Sequence, residues 1–330
     1  MNLPLFTSLF RSFRLLPALL LCLPACSAPD SGDLPLIGFV DAFEDDTIAQ
    51  AKEGFLKALS DQGFSEAAGT MQLVYRNAQG DIPTLTQIVN YMISQEVDLI
   101  GASPTLSTIT AVQRTKDIPV FMMVSPTPAR MEILDASGNA PANLFGTADD
   151  VDYIDTSFAM IQSLLPSKGQ TLRIGLLYNQ SEPQSVSSFE RLSQLAAQNG
   201  VTLVTRAVNT SADVSLVTAA LLNEGIDAFF ANPDNTIFSA FETILKACTD
   251  AGVPVFTSEV GLVKRGAVAA YGADIFEWGY QSGLQAATFL KQGNTEGLRW
   301  ELVKVRKRSY NPESANRFGL VLPENFSPVQ

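Results

Sequence analysis

The chain has 330 residues, of which 46% are hydrophobic and 17% charged, and its formal net charge is −12. Phosphate groups bind to clustered lysine and arginine, so this acidity argues against nucleic acid or an anionic lipid surface as the main partner. The chain has no histidine, the commonest general base and zinc ligand, so we predict no catalytic residue, no metal and no cofactor.

The N-terminal segment has the pattern of an export signal. Two arginines precede the apolar run Leu15 to Leu23, which is too short to span a bilayer and has the length of a secretory signal core. The run ends in Leu23-Pro24-Ala25-Cys26, which resembles the lipobox of bacterial lipoproteins. This resemblance implies a signal peptide over residues 1–25, acylation of the Cys26 thiol and a tether over residues 26–34. The alternative is an ordinary signal peptide with an incidental cysteine.

The next part of the chain alternates between buried strands and amphipathic helices. Apolar runs indicate four strands at Leu34 to Val40, Met71 to Tyr75, Val97 to Ala102 and Ile118 to Val124. Helical spacing or a helix start follows the first three, at Ile48 to Leu59, Thr84 to Ser94 and Ser103-Pro104-Thr105. Such alternation predicts a parallel sheet that is covered by helices on both faces.

Residues 136–147 are small and polar, and they indicate a crossover, after which the alternation restarts. Strands are predicted at Leu172 to Tyr178, Val201 to Ala207, Ala228 to Ala231 and Val253 to Thr257, and the last long helix at Phe276 to Leu290. We therefore predict an α/β protein with two doubly wound parallel-sheet lobes joined by a multi-strand hinge. The first lobe comprises residues 35–146 plus 272–296, and the second comprises residues 147–271 plus 297–330.

Polar side chains cluster at the predicted carboxyl ends of the strands, where open α/β sheets bind ligands. Asp234-Asn235-Thr236 is the clearest example, because it follows the strand Ala228 to Ala231 and opens an apolar-periodic helix. The predicted ligand-binding residues are Phe43, Glu44, Ser103, Pro104, Thr105, Ser125, Asn179, Glu182, Ser185, Asp234, Asn235, Glu259 and Asp274. Asp274 precedes the last helix near a lobe crossing, so a hinge role and a ligand role are both open.

Several longer matches point to one family. They include Thr115 to Val120, Ile174 to Asn179, Pro233 to Thr236, Pro254 to Phe256 and Tyr271 to Asp274. Over about residues 36 to 325 the chain resembles the ABC transporter substrate-binding proteins of the periplasmic-binding-protein-like type I fold, in the group that includes tryptophan- and tyrosine-binding lipoproteins. The resemblance implies a monomeric, extracytoplasmic, lipid-anchored protein that is not an enzyme and that delivers a small molecule to a membrane permease. Since the chain has no Gly-x-x-x-x-Gly-Lys-Ser/Thr motif, ATP hydrolysis is expected in a separate subunit.

The expected ligand is an amino-acid-like zwitterion held between the lobes. In this hypothesis Asp234 accepts hydrogen bonds from the ligand's ammonium, and helix N-termini near Ser103 to Thr105 or at Ser185 hold its carboxylate. An aromatic wall is expected from Phe43, Phe145, Phe238 or Tyr271. The alternatives are that Asp234 only caps a helix, that Asn179 and Ser185 are turn or cap residues, and that the phenylalanines are core.

Closure of two lobes on a ligand also suits a different class of protein. The alternative function is an extracytoplasmic sensor that presents its closed form to a receptor. Lys264-Arg265 is expected on a solvated turn. The alternative is that this pair contacts a permease.

Overall fold

The computed structural model describes residues 34–150, 152–165 and 169–329. The predicted signal peptide, the acylation site Cys26 and nearly all of the predicted tether lie outside the described residues, so these assignments stay predictions. None of the helices in this part of the chain has the length and apolarity that a membrane crossing needs.

The elements follow the predicted β-α alternation. The first series is β1 (Leu36–Asp41), α1 (Asp46–Asp61), β2 (Gln72–Asn77), α2 (Ile82–Ser94), β3 (Leu99–Ser103), α3 (Thr105–Arg114), β4 (Val120–Met122) and β5 (Leu144–Ala148). The second series is α4 (Asp152–Leu164), β6 (Arg173–Asn179), α5 (Pro183–Asn199), β7 (Thr202–Val208), α6 (Val214–Leu222), β8 (Ala228–Ala231), α7 (Asn235–Ser239), α8 (Phe241–Asp250), β9 (Val255–Thr257), α9 (Val260–Lys264) and β10 (Ala269–Ala273). The chain continues with α10 (Ile275–Gln292), β11 (Glu301–Leu302), β12 (Arg306–Tyr310), α11 (Pro312–Arg317) and β13 (Ser327–Pro328).

These strands form two sheets, which confirms the predicted fold class. The first has the order β11-β5-β4-β3-β1-β2, and all of its neighbouring strands are parallel. The second has the order β13-β12-β10-β9-β8-β6-β7, in which only the pairing of β10 with β12 is antiparallel. Parallel strands with helices on both faces place their carboxyl ends at one edge of each sheet, and the site lies there.

Apolar side chains fill both faces of each sheet. In the first lobe Phe39 of β1 and Phe55 of α1 are fully buried, with their ring centroids 5.5 Å apart. In the second lobe Phe230 of β8 packs on Phe158 of α4 with centroids 6.5 Å apart. Full burial of a side chain of this size stabilises the fold by about 1.5–3 kcal/mol, so these contacts hold the strands in place behind the site.

The chain passes between the lobes after β5, after β10 and after β11, and two details differ from the prediction. Residues 301–302 were expected in the second lobe, but β11 pairs with β5 in the first sheet. The crossover expected at residues 136–147 ends in a strand: Leu144–Ala148 are all buried, and residues 144–146 pair with β4 while residues 147–148 pair with β11. Few residues in this segment are hydrophobic, so its composition did not indicate a strand.

Helix α10 returns to the first lobe and lies directly against α1. A Cβ atom on Gly279 would lie 1.8 Å from the carbonyl oxygen of Ala51, and one on Gly54 would lie 1.9 Å from that of Phe276. Only glycine allows the two helix backbones to approach this closely. The packing fixes α10 with Trp278, one residue before Gly279, at the edge of the interlobe cavity.

Candidate functional site

A pocket with about 480 Å³ of empty space, open solvent at its mouth included, lies between the two lobes, and we call it the inner cavity. The first lobe contributes the start of α3, the loop after β4 and α10. The second lobe contributes α4, α5, the loop that joins β8 to α7, and the turn after β9. The lining residues are Thr105, Val124, Ser125, Pro126, Asp149, Asp150, Tyr153, Gln184, Ser188, Pro233, Asp234, Asn235, Phe238, Glu259 and Trp278.

The predicted ligand residues divide between this cavity and its surroundings. Those that line the inner cavity are Thr105, Ser125, Asp234, Asn235 and Glu259. Those that line a second, outer cavity between the lobes are Phe43, Glu44, Asn179 and Glu182. Those that line neither cavity are Ser103, Pro104, Ser185 and Asp274.

Asp234 is the N-cap of α7, and both oxygens of its carboxylate accept hydrogen bonds from groups of the second lobe. Oδ1 accepts a hydrogen bond from the Ile237 N–H at 3.0 Å, and Oδ2 accepts from the Asn179 N–H at 2.7 Å and the Ser185 hydroxyl at 2.6 Å. Aspartate favours this position because its side chain satisfies free N–H groups of the first turn. The geometry therefore supports the capping role that the sequence left open. Ser185, whose hydroxyl bonds to this carboxylate, lines neither cavity.

Glu182 is also engaged within the second lobe. Its carboxylate accepts hydrogen bonds from the Asn235 N–H at 3.0 Å, the Asn235 side-chain amide at 2.6 Å and the Thr236 hydroxyl at 2.9 Å. Asn179 joins the same network through Thr236 at 2.9 Å. Burial, with the Asp234 charge as a smaller cause, raises the pKa of Glu182 to about 7. These hydrogen bonds fix the start of α7, which lies between the two cavities.

Asp274 lies at the hinge. It caps α10 by accepting a hydrogen bond from the Glu277 N–H at 3.0 Å, and it forms an ion pair with Lys307 at 2.6 Å. Since Lys307 belongs to β12 and Asp274 follows β10, this pair ties two of the three connections together. Of the two roles that the sequence left open, the structure supports the hinge role.

Glu259 differs from Asp234 and Glu182 because one of its oxygens has no partner among the described residues. It is 4% exposed, Oε1 accepts a hydrogen bond from the Tyr153 hydroxyl at 3.3 Å, and Oε2 has no hydrogen-bond partner among the described residues. Burial raises the pKa of Glu259 to about 7. A buried carboxylate with a free oxygen is suited to accept hydrogen bonds from a cationic group.

Asp149 lies in the first hinge connection and was not predicted. Its oxygens accept hydrogen bonds from the Arg306 guanidinium at 2.5 and 3.1 Å, and the same guanidinium lies 5.0 Å from the ring centroid of Tyr153. Burial raises the pKa of Asp149, and the Glu259 charge raises it further, against the opposing effect of Arg306. The hinge is therefore connected electrostatically to the cavity through Asp149, Tyr153 and Glu259.

Buried polar atoms that have no partner within the described part of the chain lie on both sides of the inner cavity. On the second lobe they are Glu259 Oε2 and Gln184 Oε1, and on the first lobe Thr105 Oγ1. Buried polar atoms normally have a hydrogen-bond partner, because leaving one unpaired costs about 1–3 kcal/mol. Two acceptors on one lobe and a hydroxyl on the other define the polar contacts that the cavity can offer.

The aromatic wall differs from the prediction. Phe238 lines the inner cavity and Phe43 lines the outer one, whereas Phe145 packs in the core with its ring centroid 5.6 Å from that of Phe121. Tyr271 packs under the Arg308 guanidinium at 4.3 Å and lines neither cavity. The other aromatic lining residues are Tyr153 and Trp278, both buried.

Sequence reasoning missed Asp149, Tyr153 and Trp278 because two of them are on helices and one is in a connection, not directly after a predicted strand. Gln184 lies within the polar segment from Asn179 to Ser185 that follows a predicted strand, but it was not singled out. The only sequence signal for Trp278 was its rarity, since the chain has two tryptophans. Asp149-Asp150 directly after the polar crossover was a usable signal, because residues at a lobe crossing border the cleft.

The sequence and the fold are similar to known proteins over most of the chain. A family model described as "ABC transporter substrate binding protein" matches residues 37–329. A tyrosine-binding protein from Clostridioides difficile (strain R20291) is 31% identical over 262 residues, which cover 79% of this chain and 74% of that protein.

Two solved structures show the same fold. A conserved domain protein from Vibrio cholerae O1 biovar El Tor is 26% identical, with a TM-score of 0.81, 90% of this chain covered and 99% of that one. The ABC domain from Streptococcus pneumoniae in complex with L-Trp is 21% identical, with a TM-score of 0.79, 88% of this chain covered and 96% of that one.

Proposed function

The chain belongs to the ABC transporter substrate-binding protein family, and we propose that it is the extracytoplasmic component of an importer that closes two lobes around an amino acid. As a member of this family it binds a small ligand and is not an enzyme. The proposed partners are a membrane permease and a separate ATPase subunit, with the protein itself acting as a monomer.

The observation that carries the ligand class is the charge of the inner cavity. Its lining contains the carboxylates of Asp149, Asp150, Asp234 and Glu259, and among the described residues that line it there is no lysine or arginine. Glu259 Oε2 is the unpaired acceptor within this set. We assign the ligand's ammonium to Glu259, not to Asp234, whose oxygens already accept three hydrogen bonds.

The start of α3 is suited to the carboxylate end of the ligand. Pro104, the N-cap, makes no side-chain cap hydrogen bond to this ten-residue helix. Thr105, in its first turn, is fully buried with an unpaired hydroxyl at the cavity. The positive end of a helix dipole and a free hydroxyl donor together favour an anion. A zwitterion would therefore contact both lobes and stabilise the closed arrangement.

The remaining lining favours an aromatic side chain with a hydrogen-bond donor. Tyr153, Phe238 and Trp278 supply flat apolar surface, and Gln184 Oε1 is a second unpaired acceptor. A phenol hydroxyl or an indole N–H would satisfy it, while phenylalanine would leave it unpaired. The relatives' named ligands, tyrosine and L-Trp, are therefore the first candidates for this chain.

A ligand screen tests the proposed class. We expect L-tyrosine or L-tryptophan to raise the free energy of unfolding by about 2.7 kcal/mol at 100 times its dissociation constant, and L-phenylalanine to bind more weakly. The measurement is thermal unfolding with amino acids, sugars and purines at equal concentration. A clear shift with a sugar and none with any amino acid would reject the proposal.

We also propose that Cys26 carries the membrane anchor, on the strength of the lipobox resemblance. In a bacterial host the wild-type protein should partition into the detergent phase of a Triton X-114 extraction, and Cys26→Ser should move it to the aqueous phase. Equal partitioning of both proteins would indicate an ordinary signal peptide instead.

A further inference from the structure

The two lobes meet at a second place, outside both cavities, through Arg265 and Asp45. Arg265 follows α9 in the second lobe, and its Nη1 lies 2.7 Å from Asp45 Oδ2 and 3.2 Å from Thr47 Oγ1 in the first lobe. Neither Arg265 nor Asp45 lines the inner or the outer cavity. The expectation that Lys264-Arg265 sits on a solvated turn is therefore wrong for Arg265, whose side chain is 18% exposed.

Each partner is held in place by its own lobe. Arg265 forms two hydrogen bonds with the Glu242 carboxylate, at 2.8 and 2.9 Å, and donates to the Phe238 carbonyl at 2.8 Å. The Asp45 side chain is 2% exposed and caps α1 through the Thr47 and Ile48 N–H groups, at 2.8 and 3.0 Å. Because both groups are already oriented, the ion pair forms with little loss of side-chain freedom.

The surfaces around the ion pair are closely packed. A Cβ atom on Gly261 of α9 would lie 2.2 Å from Thr47 Cγ2, so α9 and the start of α1 touch at a point where only glycine fits. Ile48, at the start of α1, is 1% exposed and belongs to the apolar cluster of the second lobe. An opening movement of the lobes separates all of these groups together.

We propose that Arg265 is a positioning residue for ligand binding, which engages Asp45 in the closed arrangement and sets ligand affinity without touching the ligand. This inference rests on the proposed function, in which the lobes close around the ligand. Apparent affinity is proportional to the fraction of protein that can reach the binding-competent form, so a contact made only on closure raises affinity from a distance.

Disulfide trapping measures closure without any ligand. In the full chain with Cys22 and Cys26 replaced by serine, we would introduce Thr47→Cys and Gly261→Cys. A Cβ atom on Gly261 would lie 3.0 Å from Thr47 Cβ, which is about 0.5 Å shorter than the distance that a disulfide adopts, so the two backbones must move slightly apart. Thr47→Cys also removes Thr47 Cγ2, the atom that lies nearest to this point. The remaining thiol, Cys248, is fully buried and does not compete. The rate of cross-linking then reports the fraction of closed protein.

We expect Arg265→Gln and Asp45→Asn each to slow cross-linking by about tenfold, and the double variant to be no slower than either single one. Asparagine caps helices as well as aspartate does, so Asp45→Asn removes the charge while keeping α1 intact, even if Arg265→Gln disturbs the fold. The matched control is Arg206→Gln, which removes an ion pair to Glu224 within the second lobe and should leave the rate unchanged.

Two results separate this proposal from the proposed function. Equal cross-linking rates in the wild-type, Arg265→Gln and Asp45→Asn backgrounds would overturn the role of Arg265. If L-tyrosine and L-tryptophan fail to accelerate cross-linking while the charge variants still slow it, the amino-acid assignment fails and the role of Arg265 stands.

Discussion

Replacing Glu259 by glutamine tests the amine end of the proposed site. The substitution keeps the shape of the side chain, but it removes the negative charge and replaces one acceptor oxygen by an amide donor. Glu259 is 4% exposed and its Oε2 is unpaired, so an ammonium bound there would form a charge-assisted hydrogen bond in a water-poor setting. Such bonds contribute about 1.5–3 kcal/mol, so we expect Glu259→Gln to weaken amino-acid binding about 10- to 150-fold.

The same substitution should stabilise the ligand-free protein at high pH. Burial raises the pKa of Glu259 from 4.5 to about 7, so the fold favours the neutral carboxyl group. Its contribution to stability is fully present below about pH 4.5 and is lost as the pH rises through about 7. The shift corresponds to at most about 3 kcal/mol, which glutamine would recover at pH 8 and not at pH 4.5.

Binding itself should depend on pH for the same reason. The ammonium binds the carboxylate form, so below pH 7 each binding event releases a proton from Glu259, and affinity falls up to about tenfold per pH unit. In Glu259→Gln the part of this dependence that comes from Glu259 should be absent over the range in which the ligand stays zwitterionic.

Calorimetric titration with L-tyrosine and L-tryptophan at pH 5.5 and 8.0, together with urea unfolding of the ligand-free protein, measures all three effects. The control is Glu190→Gln, an exposed glutamate on α5, which should change none of them. The reasoning is refuted if Glu259→Gln keeps wild-type affinity, or if it loses affinity and stability together at pH 8.

Three further variants test the fold and the site. Gly279→Ala places a methyl group against a carbonyl oxygen of α1, so it should lower the free energy of unfolding, measured in urea, by about 1–3 kcal/mol. The control is Leu284→Ala on the exposed face of the same helix, which should have little effect. Trp278→Phe should abolish the change in tryptophan fluorescence that L-tyrosine induces, because Trp278 lines the inner cavity. If Trp300→Phe abolishes this change instead, the ligand does not bind in the inner cavity. Asp234→Ala should lower the melting temperature by removing three hydrogen bonds, with asparagine restoring most of the loss; a loss of affinity at unchanged stability would assign Asp234 to the ligand.

Most of the fold could be read from the pattern of apolar residues. The strand Ala228 to Ala231 was predicted with its observed bounds, because a run of four apolar residues before an Asn-Pro break has the length of a buried parallel strand and is too short for a buried helix. Strand β5 was missed, since Gly146 and Thr147 diluted its apolar signal, and its burial comes from pairing with β4 and contact with α10. Pairing partners far apart in sequence leave no local pattern.

The sequence indicated where the site lies, but it did not indicate which role each residue of the site has. The rule that strand carboxyl ends form the site brought Thr105, Ser125 and Glu259 to the right region, and all three line the inner cavity. The rule could not show that Glu259 and Asp234 have different roles. Glu259 has one oxygen without a partner among the described residues, whereas the oxygens of Asp234 accept hydrogen bonds from residues 3 to 55 positions away. That distinction depends on hydrogen-bond partners, which only the packed structure specifies.

The sequence by itself determined two β-α series of parallel strands, the acidity of the protein and the absence of histidine, because these follow from composition and from local periodicity. Tertiary structure alone decided which carboxylate stays free in the cavity, that Trp278 returns to the first lobe on α10, and that Arg265 reaches Asp45 across the lobes. These features depend on contacts such as Asn179 with Asp234 and Arg265 with Asp45, which join residues 55 and 220 positions apart and whose geometry is set by the packing of the whole chain.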